Sequence, residues 1–333
     1  MSDVISVEGL EVVYSDGTKA VNGINFNVSD GEFFGFLGPN GAGKSTTIKV
    51  LTTLLRKSAG VASVFGHEVS AQPKQIRPLI GVQSQETVVD GDLTGRENMV
   101  LQGNLHGMRG KELDNRVDEL LKLVELTDVA GKRAAFYSGG MKKRLDLASS
   151  LVHKPKMLFL DEPTTGLDPQ SRAGIWNYLK KLNKEEHITI FLTTQYLEEA
   201  DKLCDRLAII DHGQIVTSGT PSDLKAEIGA DAITLAVEGD GGNAEHAKEI
   251  LKGVQGIGEV VQGDEGITVY AKNASTLVPD IVRSFDASGL KLSSISLSRP
   301  SLDDVFLKHT GHRIRAEELV KPPSKMRFAR GRR

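Results

Sequence analysis

Residues 38 to 45 read Gly-Pro-Asn-Gly-Ala-Gly-Lys-Ser, with glycines, a lysine and a hydroxyl at spacings that suit a polyphosphate. Gly38, Gly41 and Gly43 admit backbone conformations and close approaches that a Cβ obstructs, so the N–H groups of the stretch can turn inward on phosphate oxygens. Pro39, Asn40 and Ala42 fill the loop between them, and Thr46 follows it. Lys44 adds a point charge for β- and γ-phosphates. Ser45 offers its hydroxyl to Mg²⁺ at the positive end of the helix expected to follow. Such a loop suits a nucleoside triphosphate.

Two further stretches add chemistry. Lys156-Met157-Leu158-Phe159-Leu160-Asp161-Glu162 reads as a buried strand ending in two carboxylates, where open α/β sheets place their ligands. Asp161 is suited to orient Mg²⁺ through its water shell, because that ion keeps waters and uses few protein carboxylates. Glu162 is then free to polarise an attacking water. Tyr137-Ser138-Gly139-Gly140-Met141 precedes a helical pattern from Lys142 to Leu151. Ser138, Gly139 and Gly140 repeat the anion-binding logic of a helix N-terminus, 94 residues after Lys44. A Ser-Gly-Gly on its own is more often an ordinary turn.

These residues need elements to hold them. From Val4 to Val28 the sequence alternates apolar and polar residues and predicts short strands, with turns at Ser15-Asp16-Gly17 and Val21-Asn22-Gly23. Glu32 to Leu37 predicts a strand running into the loop, and Ser45 to Leu55 a helix with Ile48, Leu51 and Leu55 on one face. Helical patterns at Thr94 to Leu105 and Glu112 to Leu126 make an insertion over about 88–137. Strands at Lys156 to Leu160, Thr189 to Leu192 and Leu207 to Ile210, with a helix over Arg172 to Asn183, return the chain to α/β alternation. After Gly219-Thr220-Pro221 the order becomes β-α-β-β-α-β: Ile233 to Val237, Ala244 to Leu251, Ile257 to Val261, Ile267 to Ala271, Leu277 to Phe285 and Leu292 to Leu297. That order predicts a small ferredoxin-like α+β domain, closed by a helix at Ser301 to Lys308. The expected division is 1–228, 229–311 and a basic tail at 312–333. Arg313 to Arg333 holds eight Lys or Arg against Glu317 and Glu318, and its composition predicts disorder.

Bulk properties narrow the class. At 333 residues the chain exceeds the usual ceiling for one core, and 39% hydrophobic with 26% charged residues is ordinary for a globular α/β protein. The 44 acidic and 41 basic residues nearly cancel, so whole-chain charge gives no argument for nucleic acid. Cys204 is the one cysteine, which suits a reducing compartment and a buried apolar position. Apolar runs such as Phe33 to Leu37 fall far short of the roughly 18 to 20 residues that span a bilayer. The first residues lack the regions of a signal peptide, so the chain is expected to stay where it is made. His309 and His312 lack a third ligand in the sequence, and His212 before Gly213 reads as part of a hairpin turn. No metal beyond nucleotide-bound Mg²⁺ is expected.

Taken in order, these motifs resemble the nucleotide-binding subunit of an ABC transporter over about residues 4 to 225. Ser138-Gly139-Gly140 is similar to that family's signature, Asp161-Glu162 to its Walker B end, and Gly166-Leu167-Asp168 to its D-loop. Gln85 stands where the family has its Q-loop glutamine, a Mg²⁺ ligand that also senses the membrane partner. Tyr14 matches the aromatic that stacks on adenine. The resemblance implies a P-loop fold of ABC type, ATP and Mg²⁺ as cofactors, and a head-to-tail homodimer in which each signature completes the other subunit's phosphate loop. It also implies hydrolysis by Glu162, Gln195 and Lys44, and a permease partner holding the subunit at the cytoplasmic face of the membrane.

Two positions depart from the family. Met141 replaces the common glutamine after the two glycines. Gln195 occupies the place of the switch histidine; its amide can donate to a γ-phosphate but cannot carry a proton as imidazole does. Thr193-Thr194-Gln195-Tyr196-Leu197-Glu198-Glu199-Ala200-Asp201 and Ser301-Leu302-Asp303-Asp304-Val305-Phe306-Leu307 resemble the daunorubicin-resistance type of drug exporter, extending the likeness to about Gly311. The competing class is the soluble ABC ATPases of DNA and ribosomes. The 94 residues between loop and signature leave no room for a long coiled coil, and the chain holds one loop and one signature, so no nucleic-acid partner is expected. The basic tail is also a candidate for weak contact with anionic lipid.

Overall fold

The computed structural model describes residues 2–228, 231–237, 242–263, 266–271, 274–298 and 300–312. Of the basic tail expected at 312–333, His312 is described and 313–333 lie outside the described residues. Among the described residues no helix is long and apolar enough to cross a membrane.

The alternating N-terminal residues form two long strands rather than several short ones, β1 (Asp3–Val13) and β2 (Lys19–Ser29). The expected turn at Ser15-Asp16-Gly17 joins them: Tyr14 N–H donates to Thr18 O at 2.9 Å, and Asp16 Oδ1 accepts from Thr18 N–H at 2.9 Å. The expected turn at Val21-Asn22-Gly23 is a correction. Those residues stay inside β2, where the pairing slips between Leu10↔Ile24 and Glu11↔Asn22 and Gly23 takes φ +70. One extra residue is absorbed as a bulge because glycine tolerates the left-handed conformation, and alternation resumes on either side.

The helix after the phosphate loop, α1 (Lys44–Leu51), ends four residues before the expected Leu55. Thr52 Oγ1 donates back to Ile48 O at 2.8 Å and Thr53 takes φ +65, so the hydroxyl turns the chain out of the helix. β4 (Ala59–Val64) and β5 (His67–Glu68) complete an antiparallel sheet of order β2-β1-β4-β5.

The second sheet is built from β3 (Phe33–Leu37), β6 (Ile80–Gln83), β7 (Met157–Asp161), β8 (Thr189–Thr194), β9 (Arg206–Asp211) and β10 (Gln214–Gly219), in the order β10-β9-β3-β8-β7-β6. β10 is antiparallel and the other five are parallel. Every residue of β3, β7 and β8 is buried, which is why these strands read as continuous rather than alternating: both faces of the sheet are covered. On one face the rings of Phe26, Phe34, Phe36, Phe159 and Phe191 meet with centroids 5.4 to 5.9 Å apart, filling the space against the antiparallel sheet.

Helices cover the other face. α2 (Pro73–Ile76), a single turn, lies instead on the phenylalanine side, where Ile76 joins that core. The expected insertion contains α3 (Gly95–Leu105), opened by a reciprocal Thr94–Glu97 capping box, and α4 (Gly110–Leu123), which buries Leu113, Val117, Leu120 and Leu121. α5 (Gly139–Ser150), α6 (Pro169–Glu186), α7 (Leu197–Leu203) and α8 (Pro221–Ile228) follow.

The remaining elements keep the expected β-α-β-β-α-β order: β11 (Asp231–Val237), α9 (Gly242–Lys252), β12 (Val260–Gly263), β13 (Gly266–Ala271), α10 (Ala274–Ser288) and β14 (Leu292–Ser298). They form an antiparallel sheet of order β12-β13-β11-β14, the ferredoxin-like arrangement, with its own core around Ile233, Val269, Ile281 and Phe285. α11 (Leu302–Thr310) then turns back, and Leu302, Val305 and Phe306 join the core shared by α7 and α8.

Candidate functional site

β3 delivers the chain to the phosphate loop, and the loop is gripped on three sides. Gly38 N–H donates to Thr194 O at 3.2 Å, and a Cβ on Gly38 would stand 2.2 Å from Ile210 O. Gly43 takes φ +103, and a Cβ there would meet Ala20 O of β2 at 2.4 Å. Gly213, in the β9–β10 turn, donates its N–H to Ala42 O at 3.1 Å. Only glycine satisfies the first two contacts, which is the structural content of the sequence motif.

The loop borders a cleft of about 610 Å³, lined among others by Tyr14, Asn40, Lys44, Ser45, Gln85 and Glu162. Tyr14 OH lies 3.0 Å from Thr46 Oγ1, placing its part-exposed ring at the rim. Lys44 is 4% exposed. Its Nζ donates to Gly38 O at 2.8 Å and Pro39 O at 3.0 Å and pairs with Glu162 Oε1 at 3.1 Å. Burial pulls the Lys44 ammonium below its usual range, while the Glu162 and Asp161 carboxylates push the other way.

Glu162 leaves β7 with φ +49, a turn that swings its carboxylate toward Lys44. Its Oε2 accepts from Thr165 Oγ1 at 3.2 Å and Gln85 Nε2 at 3.4 Å, and its backbone N–H donates to Thr193 O at 3.1 Å. Beside it, Asp161 Oδ1 accepts from Ser45 Oγ at 3.0 Å and Thr193 Oγ1 at 2.6 Å. The Ser45 hydroxyl and Asp161 carboxylate, bonded to each other, offer oxygen donors of the kind that fit Mg²⁺, and Gln85 lines the same cleft.

Two residues of this network have no signal in the primary motifs. Thr193 reaches Asp161 because the parallel register sets Asp161 opposite Thr193 across β7 and β8. Lys143, buried on α5, donates Nζ to Gln85 O at 2.6 Å and so fixes the segment carrying Gln85. Only strand pairing and helix placement reveal either one.

The other sequence candidates lie elsewhere. Ser138 is exposed at the start of α5, where its Oγ accepts from Met141 N–H at 3.2 Å; neither it nor Gly139 or Gly140 lines the cleft. Asp168 caps α6 through Ser171 N–H at 2.9 Å and Ser171 Oγ at 2.6 Å, bonds that hold its carboxyl below the usual range. Gln195 is buried just past β8 and is not part of the cleft lining. Thus one chain assembles the loop, Asp161, Glu162, Gln85 and Tyr14, and leaves the Ser-Gly-Gly helix start facing outward.

Comparison with known proteins shows the family. Residues 21–165 match the ABC transporter family, and residues 219–310 match the C-terminal domain of ATP-binding proteins like DrrA1-3. The daunorubicin/doxorubicin resistance ATP-binding protein DrrA of Streptomyces peucetius is 42% identical over 310 residues, 92% of each chain. Among solved structures, CbiO1 of Clostridium perfringens, part of an ABC transporter complex, superposes with a TM-score of 0.63 at 32% identity over 68% of this chain and 92% of that one. An ATP-binding cassette solved as a dimer with ADP and Pi superposes with a TM-score of 0.60 at 27% identity over 65% of this chain and 98% of that one.

Proposed function

Since the chain belongs to the ABC transporter ATP-binding subunits of the daunorubicin-resistance type, an ATPase family, we propose that it powers export of a drug or another hydrophobic compound through a separate permease. ATP binds in the cleft, with Tyr14 against adenine and the loop around the phosphates. Ser45, Asp161 and Gln85 are the residues that would hold Mg²⁺, which would supply charge neutralisation to the phosphates. Glu162 accepts a proton from the attacking water while Lys44 and the loop N–H groups hold the developing negative charge.

The observation that carries the reading is the placement of Ser138. An exposed helix N-terminus with a serine cap and two glycines is an anion seat that finds no anion within its own chain. A second copy, packed head to tail, would bring that seat to the γ-phosphate, with Asp168 beside the seam. The three-part division at 228 and 311 follows the same reading, the ferredoxin-like part serving dimerisation or regulation. On the outer side, exposed Leu54 and Val88 flank a groove of about 380 Å³ near Gln85 and the helical insertion, which suits the permease at the cytoplasmic membrane face. The basic tail would add weak attraction to anionic lipid.

Ser138→Asp separates the seat from its fold. Aspartate caps a helix as well as serine does, so α5 should persist, but its charge repels phosphate. The expected result is monomeric ATP binding at wild-type affinity with hydrolysis reduced to background. Mixing this variant with Lys44→Met should restore part of the activity, because a mixed dimer holds one intact composite site. A mixture as inactive as its components would sink the shared-site mechanism.

Gln195 stands outside the cleft lining, so its proposed hydrogen bond to the γ-phosphate forms only as the dimer closes. Gln195→Ala should slow hydrolysis roughly tenfold, the low end of about 1.5 to 3 kcal/mol for a hydrogen bond to a charged group. Wild-type turnover with Mg-ATP would remove Gln195 from the mechanism.

A further inference from the structure

Asp211, His212 and His312 come together although a hundred residues separate the histidines in sequence. Asp211 ends β9, His212 begins the turn to β10, and His312 lies just beyond α11. The Oδ2 of Asp211 is 3.4 Å from His312 Nε2 and 3.8 Å from His212 Nε2, and one ligating atom from each of the three residues lies within 4.8 Å of the others. Asp211 is buried and its Oδ1 accepts from His212 N–H at 3.1 Å, which leaves Oδ2 turned toward both rings. The His312 and Phe306 rings pack edge to face at a centroid distance of 5.3 Å, so that imidazole is also held in place.

We infer that Asp211, His212 and His312 form a site for a divalent transition-metal ion of the zinc class, joining the end of α11 to the β9–β10 turn. Two imidazole nitrogens are borderline donors that, joined by one carboxylate oxygen, favour Zn²⁺, Co²⁺ or Ni²⁺ over the oxygen-seeking Mg²⁺. Tetrahedral coordination with bonds of about 2.0 to 2.1 Å sets neighbouring ligand atoms about 3.3 Å apart. The Asp211–His312 separation already matches this. His212 Nε2 stands about half an ångström too far from Asp211 Oδ2, and its side chain, 91% exposed, has room to turn toward both partners, all ligand atoms already lying within 4.8 Å of one another. The fourth position is left for water or another ligand.

The location gives the ion a consequence. Gly213, the residue after His212, lines the nucleotide cleft and donates its N–H to Ala42 O of the phosphate loop at 3.1 Å. Its carbonyl accepts from Asn22 N–H of β2 at 2.8 Å. A bound ion therefore fastens the last helix of the chain to the turn that backs the phosphate loop.

The test uses full-length, untagged protein stripped with chelator and titrated with Zn²⁺ alone, with Co²⁺ absorption reporting the ligand set. One ion per chain is expected, together with a rise in melting midpoint. His212→Ala and His312→Ala should each weaken binding at least about tenfold. His309→Ala, one turn away and outside the cluster, should bind as wild type does. Because Asp211 is buried, the decisive variant is His212→Ala, whose loss leaves the packing unchanged. Absence of stoichiometric uptake by the wild type, or uptake that His212→Ala leaves intact, overturns the site and leaves Asp211 and His312 as an ion pair only.

Discussion

Glu162→Gln should lower ATP hydrolysis by about 10² to 10⁴-fold, the usual worth of a positioned general base, while leaving ATP binding intact. The amide keeps the volume of the carboxylate and retains an oxygen to accept from Lys44 Nζ, now 3.1 Å from Glu162 Oε1. What it loses is the capacity to take a proton. With binding preserved and turnover stopped, the closed dimer should accumulate in Mg-ATP, seen as a shift to about twice the mass in size-exclusion chromatography. The measurement is best made with the copurified permease as well as alone, because an isolated subunit can be slow for lack of its partner. Retained turnover would move the base elsewhere, and lost binding would make Glu162 a structural residue.

Lys44→Met should abolish tight nucleotide binding and also destabilise the protein, and the two effects have separable causes. Lys44 and Glu162 are each 4% exposed, and removing the cation strands a buried carboxylate whose remaining side-chain donors among the described residues are Thr165 and Gln85. Breaking a buried pair on one side typically costs about 3 to 5 kcal/mol. Denaturant titration should therefore show a lower midpoint for Lys44→Met than for Glu162→Gln. The double variant Lys44→Met with Glu162→Gln removes both charges and should recover most of that stability, yet bind ATP no better. A double variant as unstable as Lys44→Met would mean that the loop, not the charge pair, accounts for the loss.

The parts of this site legible in sequence are those in which function is written over a few consecutive residues. Gly38 to Ser45 is such a run, and so is Asp161-Glu162 at the end of an apolar strand. The β-α-β-β-α-β order of the smaller part could also be read, since each element carries its own periodicity. Pairing between distant segments could not. Thr193 gains meaning only from the register that sets it against Asp161, and Lys143 only from the packing of α5 beside Gln85. Val21-Asn22-Gly23 misled for a related reason: an Asn-Gly step signals a turn locally, but β1 continues to pair on both sides of it and converts the turn into a bulge. His212 and His312 each look isolated in the sequence, and the path of α11 back across the larger core brings them together.

The grip on the phosphate loop ties two properties that are usually measured apart. Gly43 presses on β2 at Ala20, Ala42 accepts from Gly213 of the β9–β10 turn, and Gly38 is held by Thr194 of β8. The loop therefore acts as a keystone between the antiparallel and parallel sheets. By mass action, a ligand that binds only the native loop adds about 2.7 kcal/mol at a hundred times its Kd, and both sheets share that increment. Nucleotide occupancy thus becomes durability, and a subunit starved of ATP is both idle and easier for a protease to open.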